Sequence, residues 1–289
     1  MTNAPAIHAD VPATPTDVVR LGCVSYLNTT PLIEGLGKFD RARLTLTPPS
    51  GLIDLLLADD VDLGLISAID YQRSAEPLAV VPVGCIACDG PTMTVRLYAR
   101  RPIEELTTIA ADVDSHTAVT LLRILMREQY NIDPELTPFD AEVSLPADGD
   151  DAPWPEAMLV IGDKVITRSP PAALFPHQLD LGQAWKDLTG LPFVYAIWMC
   201  RASKRDAPEV RLGADLLNRQ RRHNEQRLAW IAAHRAPRHD WPADVALTYI
   251  RDLLHYDVHE ADLVGLERFY DLAATHGLIE QRRPIETID

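Results

Sequence analysis

The chain lacks the features that mark membrane proteins and nucleic-acid binders. No segment approaches the ~20 consecutive apolar residues that a transmembrane helix needs, so we expect no membrane span. Positive charge is scarce as well, because 27 basic residues stand against 42 acidic ones and leave a net charge of −15. Since nucleic acids and anionic membranes attract basic surfaces, we expect neither as a partner.

The first eighteen residues lack the features of a signal peptide. They contain Pro5, Pro12 and Pro15 among alanines, threonines and aspartates, with neither a basic start nor an apolar middle. We therefore predict a disordered tail over residues 1–18 and a cytoplasmic protein. The chain has 289 residues, of which 47% are apolar. This length is more than one compact domain usually holds, so we expect two domains.

Cysteine is rare, with Cys23, Cys85, Cys88 and Cys200 as the four in the chain. Cys85 and Cys88 form a single C-x-x-C, which has neither a second close pair nor suitably spaced histidines to complete a zinc site. A redox pair would open a helix after a strand, whereas Asp89-Gly90-Pro91 follows here. We therefore expect buried free thiols and no metal site.

The sequence also lacks three motifs that are typical of common enzyme classes. The sequence has no G-x-S-x-G, no Walker loop and no G-x-G-x-x-G that opens a helix. Serine hydrolysis, nucleotide hydrolysis and dinucleotide redox chemistry therefore lack their motifs. We expect no cofactor.

Apolar β-prone runs alternate with helical patterns along the chain. The first hundred residues alternate in this way, which predicts a parallel sheet with helices on its faces. A second such unit follows, in which residues 118–130 have the spacing of an amphipathic helix and the acidic stretch 133–151 is typical of a loop. The final third shows helical spacing over residues 210–233, 242–254 and 261–276.

Two further β-prone runs, 94–100 and 193–200, flank the middle of the chain and predict hinge strands. Together these patterns predict an α/β, two-lobed, periplasmic-binding-protein-like (type II) fold with two hinge strands and C-terminal helices. We predict that lobe 1 comprises residues 19–96 and 197–289, and that lobe 2 comprises residues 97–196. Such a fold closes over a ligand held between its lobes.

Polar side chains cluster where predicted strands end. The four clusters are Ser25–Thr30, Ser67–Asp70, Ser115–Thr117 and Gly162-Asp163. Ligands bind at the carboxyl ends of strands in open α/β sheets, and helix N-termini at that edge favour anions. Hydroxyls and amides with few cations would suit a small carboxylate. Each cluster alone also fits helix N-caps, so capping stays open as the alternative.

Asn28 is the candidate ligand contact with the clearest setting. It lies in Ser25-Tyr26-Leu27-Asn28-Thr29-Thr30-Pro31-Leu32, directly after the apolar run 19–24. A strand, a loop and a helix are predicted there, and Pro31 suits the first helical position. The Asn28 amide can donate and accept at once, and helix capping is its alternative role. His116, in a predicted loop, is either a site residue or a solvated one.

The stretch around Asn28 resembles the opening motif of the chorismate dehydratase family, which starts the futalosine route to menaquinone. Further stretches resemble the same family in order along the chain, from about residue 19 to residue 280. These stretches are residues 62–71, 85–91, 118–125, 161–163, 180–194 and 265–279.

This resemblance implies a hydro-lyase of menaquinone biosynthesis that removes water from chorismate, a dicarboxylate, to give 3-[(1-carboxyvinyl)oxy]benzoate without a cofactor. It implies a catalytic role for Asn28 near the leaving hydroxyl. The predicted substrate-binding residues are Ser25, Tyr26, Thr29, Ser67, Thr94, Ser115, His116, Thr117 and Asp163. The family often carries arginine at the position of His116 and serine at that of Ala118, so the substrate contacts differ there.

Two alternatives stay open at this point. One is an enzyme similar to 1,4-dihydroxy-6-naphthoate synthase of the same pathway, which shares the fold class. The other is a non-catalytic cytosolic protein that binds small carboxylates. Both a monomer and a homodimer fit the sequence.

Overall fold

Two mixed β-sheets form the framework of the molecule. The computed structural model describes residues 18–112, 114–141 and 154–288, so residues 1–17 of the predicted tail lie outside it. The described strands are β1 (Val19–Cys23), β2 (Ala42–Leu46), β3 (Leu63–Ser67), β4 (Leu78–Cys88), β5 (Val95–Ala99), β6 (Thr108–Asp112), β7 (Glu135–Phe139), β8 (Ala157–Ile161), β9 (His177–Asp180), β10 (Phe193–Arg201) and β11 (Leu254–His255).

Helices cover the faces of both sheets. The described α-helices are α1 (Thr30–Ile33), α2 (Leu52–Leu57), α3 (Asp70–Arg73), α4 (His116–Gln129), α5 (Lys164–Thr167), α6 (Leu181–Thr189), α7 (Pro208–Glu225), α8 (Leu228–Arg235), α9 (Ala243–Thr248) and α10 (Glu260–Thr275). A π-helix, Tyr249–Leu253, continues α9. None of the described helices is long and apolar enough to cross a membrane.

The first sheet has the strand order β11-β4-β10-β3-β1-β2. Strands β1, β2 and β3 run parallel, whereas β10 is antiparallel to both β3 and β4. Every residue of β3 is buried, as expected for a parallel strand covered on both faces. We call this sheet with its helices lobe 1.

The second sheet has the strand order β7-β6-β8-β5-β9, and all its strands come from the middle of the chain. We call it, with α4, α5 and α6, lobe 2. The predicted α/β two-lobed fold with C-terminal helices is confirmed. The sheet changes between Cys88 and Val95 and again between Asp180 and Phe193; the predicted lobe boundaries after residues 96 and 196 stay a prediction.

Asp180 stabilises the first crossing between the lobes, which is the segment between Cys88 and Val95 where the chain passes from lobe 1 to lobe 2. Its Oδ1 accepts a hydrogen bond from Thr92 N (2.8 Å) and its Oδ2 accepts one from Met93 N (2.6 Å). The same carboxylate caps α6 by accepting from Gly182 N and Gln183 N. One side chain thus joins the crossing segment to the start of a lobe 2 helix.

Three local predictions differ from the structure. The stretch 133–151 contains strand β7, an edge strand whose Pro138 and polar neighbours conceal its β pattern; residues 142–153 lie outside the described chain. The predicted helix 210–233 is two helices, α7 and α8, because Arg227 N bonds to Asn224 O and closes the last turn of α7. The predicted helix 242–254 changes to a π-helix at Tyr249.

The core confirms the expectation for the cysteines. All four cysteines are free and buried. Trp185 and Trp198 are both fully buried. The main hydrophobic cluster contains residues of both sheets, including Leu97 and Ile197. The two lobes therefore share apolar packing close to the crossings.

We expect Gly265→Ala to lower the free energy of unfolding by about 1–3 kcal/mol, the usual cost of overpacking. A Cβ at Gly265 would collide with the carbonyl oxygen of Pro192, which precedes β10. Urea unfolding measures the change. Gly37→Ala is the matched control, because no atom of the described chain lies within 4 Å of its added Cβ, and we expect a change within about 0.5 kcal/mol. Equal unfolding midpoints for the two variants would contradict this packing.

Candidate active site between the two lobes

A tight turn after β1 presents Asn28 between the lobes. A 3-10 helix, Leu27–Thr29, leads directly into α1, which has Pro31 in its first turn. The Thr29 hydroxyl donates to Val24 O (2.9 Å) and Tyr26 O (2.8 Å). The turn thus uses the Thr29 side chain internally and makes no capping bond with a side chain of its own at its start.

Helix α7 supports this turn from the core. The buried amide of Asn224 donates to Pro31 O (3.1 Å) and Glu34 O (2.9 Å), and Gln220 Nε2 also donates to Glu34 O (2.6 Å). These bonds satisfy carbonyls at the end of α1, which is too short to pair them internally. Helix α7 therefore fixes the end of α1, which directly follows the turn that carries Asn28.

A cavity of about 70 Å³, which we call the inner cavity, lies where the two lobes meet. Its polar lining residues are Tyr26, Asn28, Ser67, Thr92, Thr94, Ser115, Tyr195 and Tyr249. None of the described lining residues is a lysine, arginine, histidine, aspartate or glutamate. The cavity can bind a polar ligand through neutral hydrogen-bonding groups.

Asn28 carries an unsatisfied acceptor at this cavity. Its Oδ1 is buried and has no hydrogen-bond partner within the described residues. Buried polar atoms without hydrogen-bond partners are rare in folded proteins, and such an atom often indicates a functional role. A ligand hydroxyl in the inner cavity would supply the missing donor.

Two pairs of hydroxyls also line the cavity. The Thr94 and Tyr249 hydroxyls are hydrogen-bonded at 2.5 Å, and Thr92 Oγ1 donates to Tyr195 OH at 2.9 Å. Burial raises the pKa of both phenols above the usual range; for Tyr249, hydrogen bonds from Thr94 and Asn28 oppose this effect. Both tyrosines therefore stay protonated and can act as hydrogen-bond donors.

The N-terminus of α4 also reaches the cavity. Ser115 is its N-cap, and Ser115 Oγ accepts from Ala118 N at 3.1 Å. The alternative capping role of Ser115 is therefore present, although the residue also lines the cavity. The positive end of this 14-residue helix favours an anion here.

Asp163 and Tyr26 connect the lobes at the rim. The Asp163 carboxylate accepts from Leu27 N (3.1 Å) and from His239 Nδ1 (2.8 Å). It makes no capping bond to α5. The Tyr26 hydroxyl donates to Asp114 Oδ2 (3.3 Å). These contacts hold the turn after β1 against lobe 2.

His116 and Thr117 make a second set of contacts between the lobes. His116 Nδ1 lies 2.9 Å from Asp70 Oδ1, and Thr117 Oγ1 accepts from Ile69 N at 3.2 Å. Neither residue lines the inner cavity. At this place the structure brings the ends of α3 and α4 together.

A wider groove of about 950 Å³ adjoins the inner cavity, and we call it the outer groove. Ser25, Thr29 and Asp163 line it, as does Tyr26, which also lines the inner cavity. The buried Lys164 in this groove is paired with acidic residues of lobe 2, including Asp114 (2.8 Å). The groove forms an approach from solvent to Tyr26.

The structure divides the predicted site residues into three sets. The inner cavity brings together Tyr26, Asn28, Ser67, Thr94 and Ser115; the outer groove holds Ser25, Thr29 and Asp163; the contacts between lobes hold His116 and Thr117. Sequence reasoning missed Thr92, Tyr195 and Tyr249 as lining residues. Thr92 follows the conspicuous Asp89-Gly90-Pro91 turn, but no local pattern marks the two tyrosines.

The contact of His116 with Asp70 predicts a pH-dependent stability. The hydrogen bond to Asp70 outweighs burial and raises the pKa of His116 above its usual value. Its contribution is complete below the unfolded pKa of about 6.5 and is lost as the pH rises through the higher folded pKa. At pH values below the unfolded pKa, we expect the unfolding free energy of wild type to exceed that of His116→Gln by up to about 1 kcal/mol. Above the folded pKa of His116, we expect a smaller difference.

Urea unfolding of both proteins across the pH range measures this difference. His234→Gln is the control, because within the described chain the exposed His234 has the Trp230 carbonyl as its hydrogen-bond partner and no acidic partner. A wild-type advantage that stays constant or grows with rising pH would contradict the ion pair.

Solved structures with the same architecture include a periplasmic-type binding protein. The alkanesulfonate-binding protein SsuA from Xanthomonas axonopodis pv. citri gives a TM-score of 0.65 at 17% identity, over 93% of this chain and 96% of that one. A protein from Archaeoglobus fulgidus gives 0.64 at 16% identity, over 92% of this chain and 100% of that one. These likenesses show the fold alone, and they confirm the periplasmic-binding-protein-like class.

Sequence comparison goes further than the fold. The chorismate dehydratase of Thermus thermophilus is 28% identical over 263 residues, covering 86% of this chain and 93% of that protein. The profile of a family described as "Menaquinone biosynthesis" matches residues 19–275, which is most of the chain. The predicted family is confirmed. The chain belongs to this menaquinone biosynthesis family.

Proposed function

We propose that this protein is a chorismate dehydratase, a hydro-lyase that converts chorismate into 3-[(1-carboxyvinyl)oxy]benzoate. The observation that carries the proposal is the unsatisfied Asn28 Oδ1, buried beside a cavity whose described lining has neutral hydrogen-bonding groups. Membership in the menaquinone biosynthesis family and the name of the Thermus thermophilus relative support the choice of substrate. Cytoplasmic localisation stays a prediction.

The reaction makes modest demands on the protein. The C–H bond at the ether carbon and the C–O bond to the neighbouring hydroxyl break, a double bond forms, and the proton and hydroxide leave as water. The ring becomes aromatic, which supplies a large driving force without redox chemistry. The site has to bind two carboxylates, orient the leaving hydroxyl and exclude bulk water.

Neutral donors suit both carboxylates. In the proposal, Ser67 and the Thr94–Tyr249 pair donate to the substrate on one side of the inner cavity. On the other side Ser115, at the positive end of α4, faces the second carboxylate. The Tyr26 hydroxyl, which donates to Asp114 in the ligand-free protein, turns to donate to the same carboxylate. Hydrogen bonds in a water-poor cavity are stronger than in solvent, so fixed cations are not required.

Asn28 is placed to act on the leaving hydroxyl. Its Oδ1 accepts from that hydroxyl, while its Nδ2 can stabilise the oxygen as the C–O bond breaks. The described cavity lining offers no carboxylate, imidazole or amine as a base, and its phenols are held protonated. We therefore propose that the proton passes to a substrate carboxylate or to water.

The remaining predicted substrate contacts have a different part in this proposal. His116, Thr117 and Asp163 act on the substrate through closure of the lobes, since their polar atoms bond across the cleft. Ser25 and Thr29 contribute by shaping the turn and the outer groove.

The direct test is turnover of chorismate by the purified chain. Mass spectrometry should show the loss of one water, and ultraviolet absorbance should show a new aromatic product, with no cofactor added. Chorismate that stays intact would contradict the proposal. Binding without turnover would instead favour a carboxylate-binding protein.

Asn28→Ala and Asn28→Asp should each lower kcat by about 100-fold or more, as for loss of an oriented hydrogen-bonding group. Because Oδ1 has no partner among the described residues, Asn28→Ala should cost the ligand-free protein no more than about 1 kcal/mol, the value of the one bond to Tyr249 that is lost. Steady-state kinetics and urea unfolding measure the two effects.

Asn224→Ala is the matched contrast for these variants. Its amide bonds to the Pro31 and Glu34 carbonyls, so its loss should cost about 1–3 kcal/mol of stability. Near-native turnover in both Asn28 variants would show that the assignment of Asn28 is wrong.

Tyr249→Phe should reduce kcat/KM by about 10-fold or more, the value of one hydrogen bond to a charged group. The change removes the hydroxyl that pairs with Thr94 at the cavity. Tyr256→Phe is the control, because the buried Tyr256 hydroxyl lies on the same chain segment and has no partner in the described structure. We expect its kcat/KM to stay near wild type. Equal effects of the two changes would argue against a substrate contact at Tyr249.

A further inference from the structure

Three potential metal ligands meet at an edge of the first sheet, outside the inner cavity. Cys85 lies on β4, His255 lies on the edge strand β11, and Asp262 lies in the first turn of α10. The Cys85 Sγ, a ring nitrogen of His255 and a carboxylate oxygen of Asp262 are all within 4.8 Å of one another. No sequence motif marks this cluster, because Cys85 is far along the chain from the other two.

The backbone holds this cluster in place. Cys85 N donates to Tyr256 O (3.0 Å), which locks β4 beside the end of β11. Asp262 Oδ2 accepts from His259 N (2.8 Å) in the capping box of α10. The other carboxylate oxygen, Oδ1, then faces His255 Nε2 at 2.8 Å.

The chemistry of the three groups selects a particular cation. Thiolate, imidazole and carboxylate are the ligands that Zn²⁺ takes in proteins, at about 2.0–2.3 Å. A thiolate disfavours Mg²⁺ and Ca²⁺. In a tetrahedral site such bond lengths place ligand atoms about 3.3–3.8 Å apart, which small side-chain rotations can reach here. One thiolate and one carboxylate also carry two negative charges, which balance the two positive charges of Zn²⁺.

The surroundings leave one side of the cluster open. Cys85 and Asp262 are buried, whereas the His255 side chain is 27% exposed and that of His259 is 60% exposed. A cation can therefore enter from the side of His259. The adjacent Arg221 is already neutralised by Glu225 (2.7 Å) and by Asp257.

We propose that Cys85, His255 and Asp262 bind one Zn²⁺ ion in a structural site, with a water molecule or His259 as the fourth ligand. The ion would join β11 and α10 to β4. Leu254, which lines the inner cavity, directly precedes His255 along the chain, and Tyr249, which also lines it, lies earlier, in the π-helix before β11. Occupancy would therefore stiffen one wall of the cavity, whatever reaction takes place there.

Metal binding by the tag-free full chain tests this site. After treatment with a chelator, the protein is titrated with Zn²⁺ against a chromophoric indicator and separately with Co²⁺. We expect one equivalent of Zn²⁺ to bind and to raise the melting temperature. We also expect Co²⁺ to produce a thiolate-to-metal charge-transfer band.

Two ligand variants and one control sharpen the test. Cys85→Ala should remove the Co²⁺ charge-transfer band. His255→Asn, on a partly exposed edge strand, should keep the fold and weaken Zn²⁺ binding by more than about 100-fold, since loss of an outer-shell partner alone costs about 10–100-fold. Cys200→Ala removes another buried cysteine and should behave as wild type. No stoichiometric binding to wild type, or undiminished binding in both ligand variants, would overturn the proposal.

Discussion

The antiparallel pairing of β4 with β10 is the constraint on which the rest of the structure depends. Both strands belong to the first sheet, yet each is joined at one end to the second lobe. Their ladder places Phe193 opposite Cys88, so the two crossings lie side by side. Asp180 then fixes the first crossing through Thr92 N and Met93 N. Any rotation of the lobes has to be taken up in these few residues, and the cavity forms directly beside them.

The site uses neutral groups where a dianion would suggest cations. Its phenols are held protonated by burial, and one long helix directs its positive end at the cavity. Fixed cations would bind the substrate strongly in its ground state as well as in the transition state, and uniform binding of this kind does not raise kcat. In the proposed reaction, the amide oxygen of Asn28, which has no partner among the described residues, accepts a hydrogen bond from the hydroxyl that has to leave.

Local chemistry explains which features were predictable from the sequence. The turn around Asn28 could be predicted because strand, hydroxyl residues and Pro31 are contiguous, and the alternation of strands and helices is likewise local. Tyr195 and Tyr249 could not be predicted as cavity residues. Tyr195 reaches the cavity through the register of β10, and Tyr249 reaches it through the π-helix that follows α9. The pattern of strand β7 was obscured because it is an edge strand. The break after α7 could not be predicted, because no glycine or proline marks it.

His116, Thr117 and Asp163 show why strand-end polarity is an ambiguous signal. The carboxyl ends of strands in both lobes face the same cleft, so each polar side chain there meets either a ligand or the opposite lobe. In this structure Asp70, Ile69 N and Leu27 N satisfy these three residues, while Asn28 Oδ1 has no partner among the described residues. In the proposed mechanism, closure and substrate recognition therefore depend largely on different side chains, and Tyr26 takes part in both.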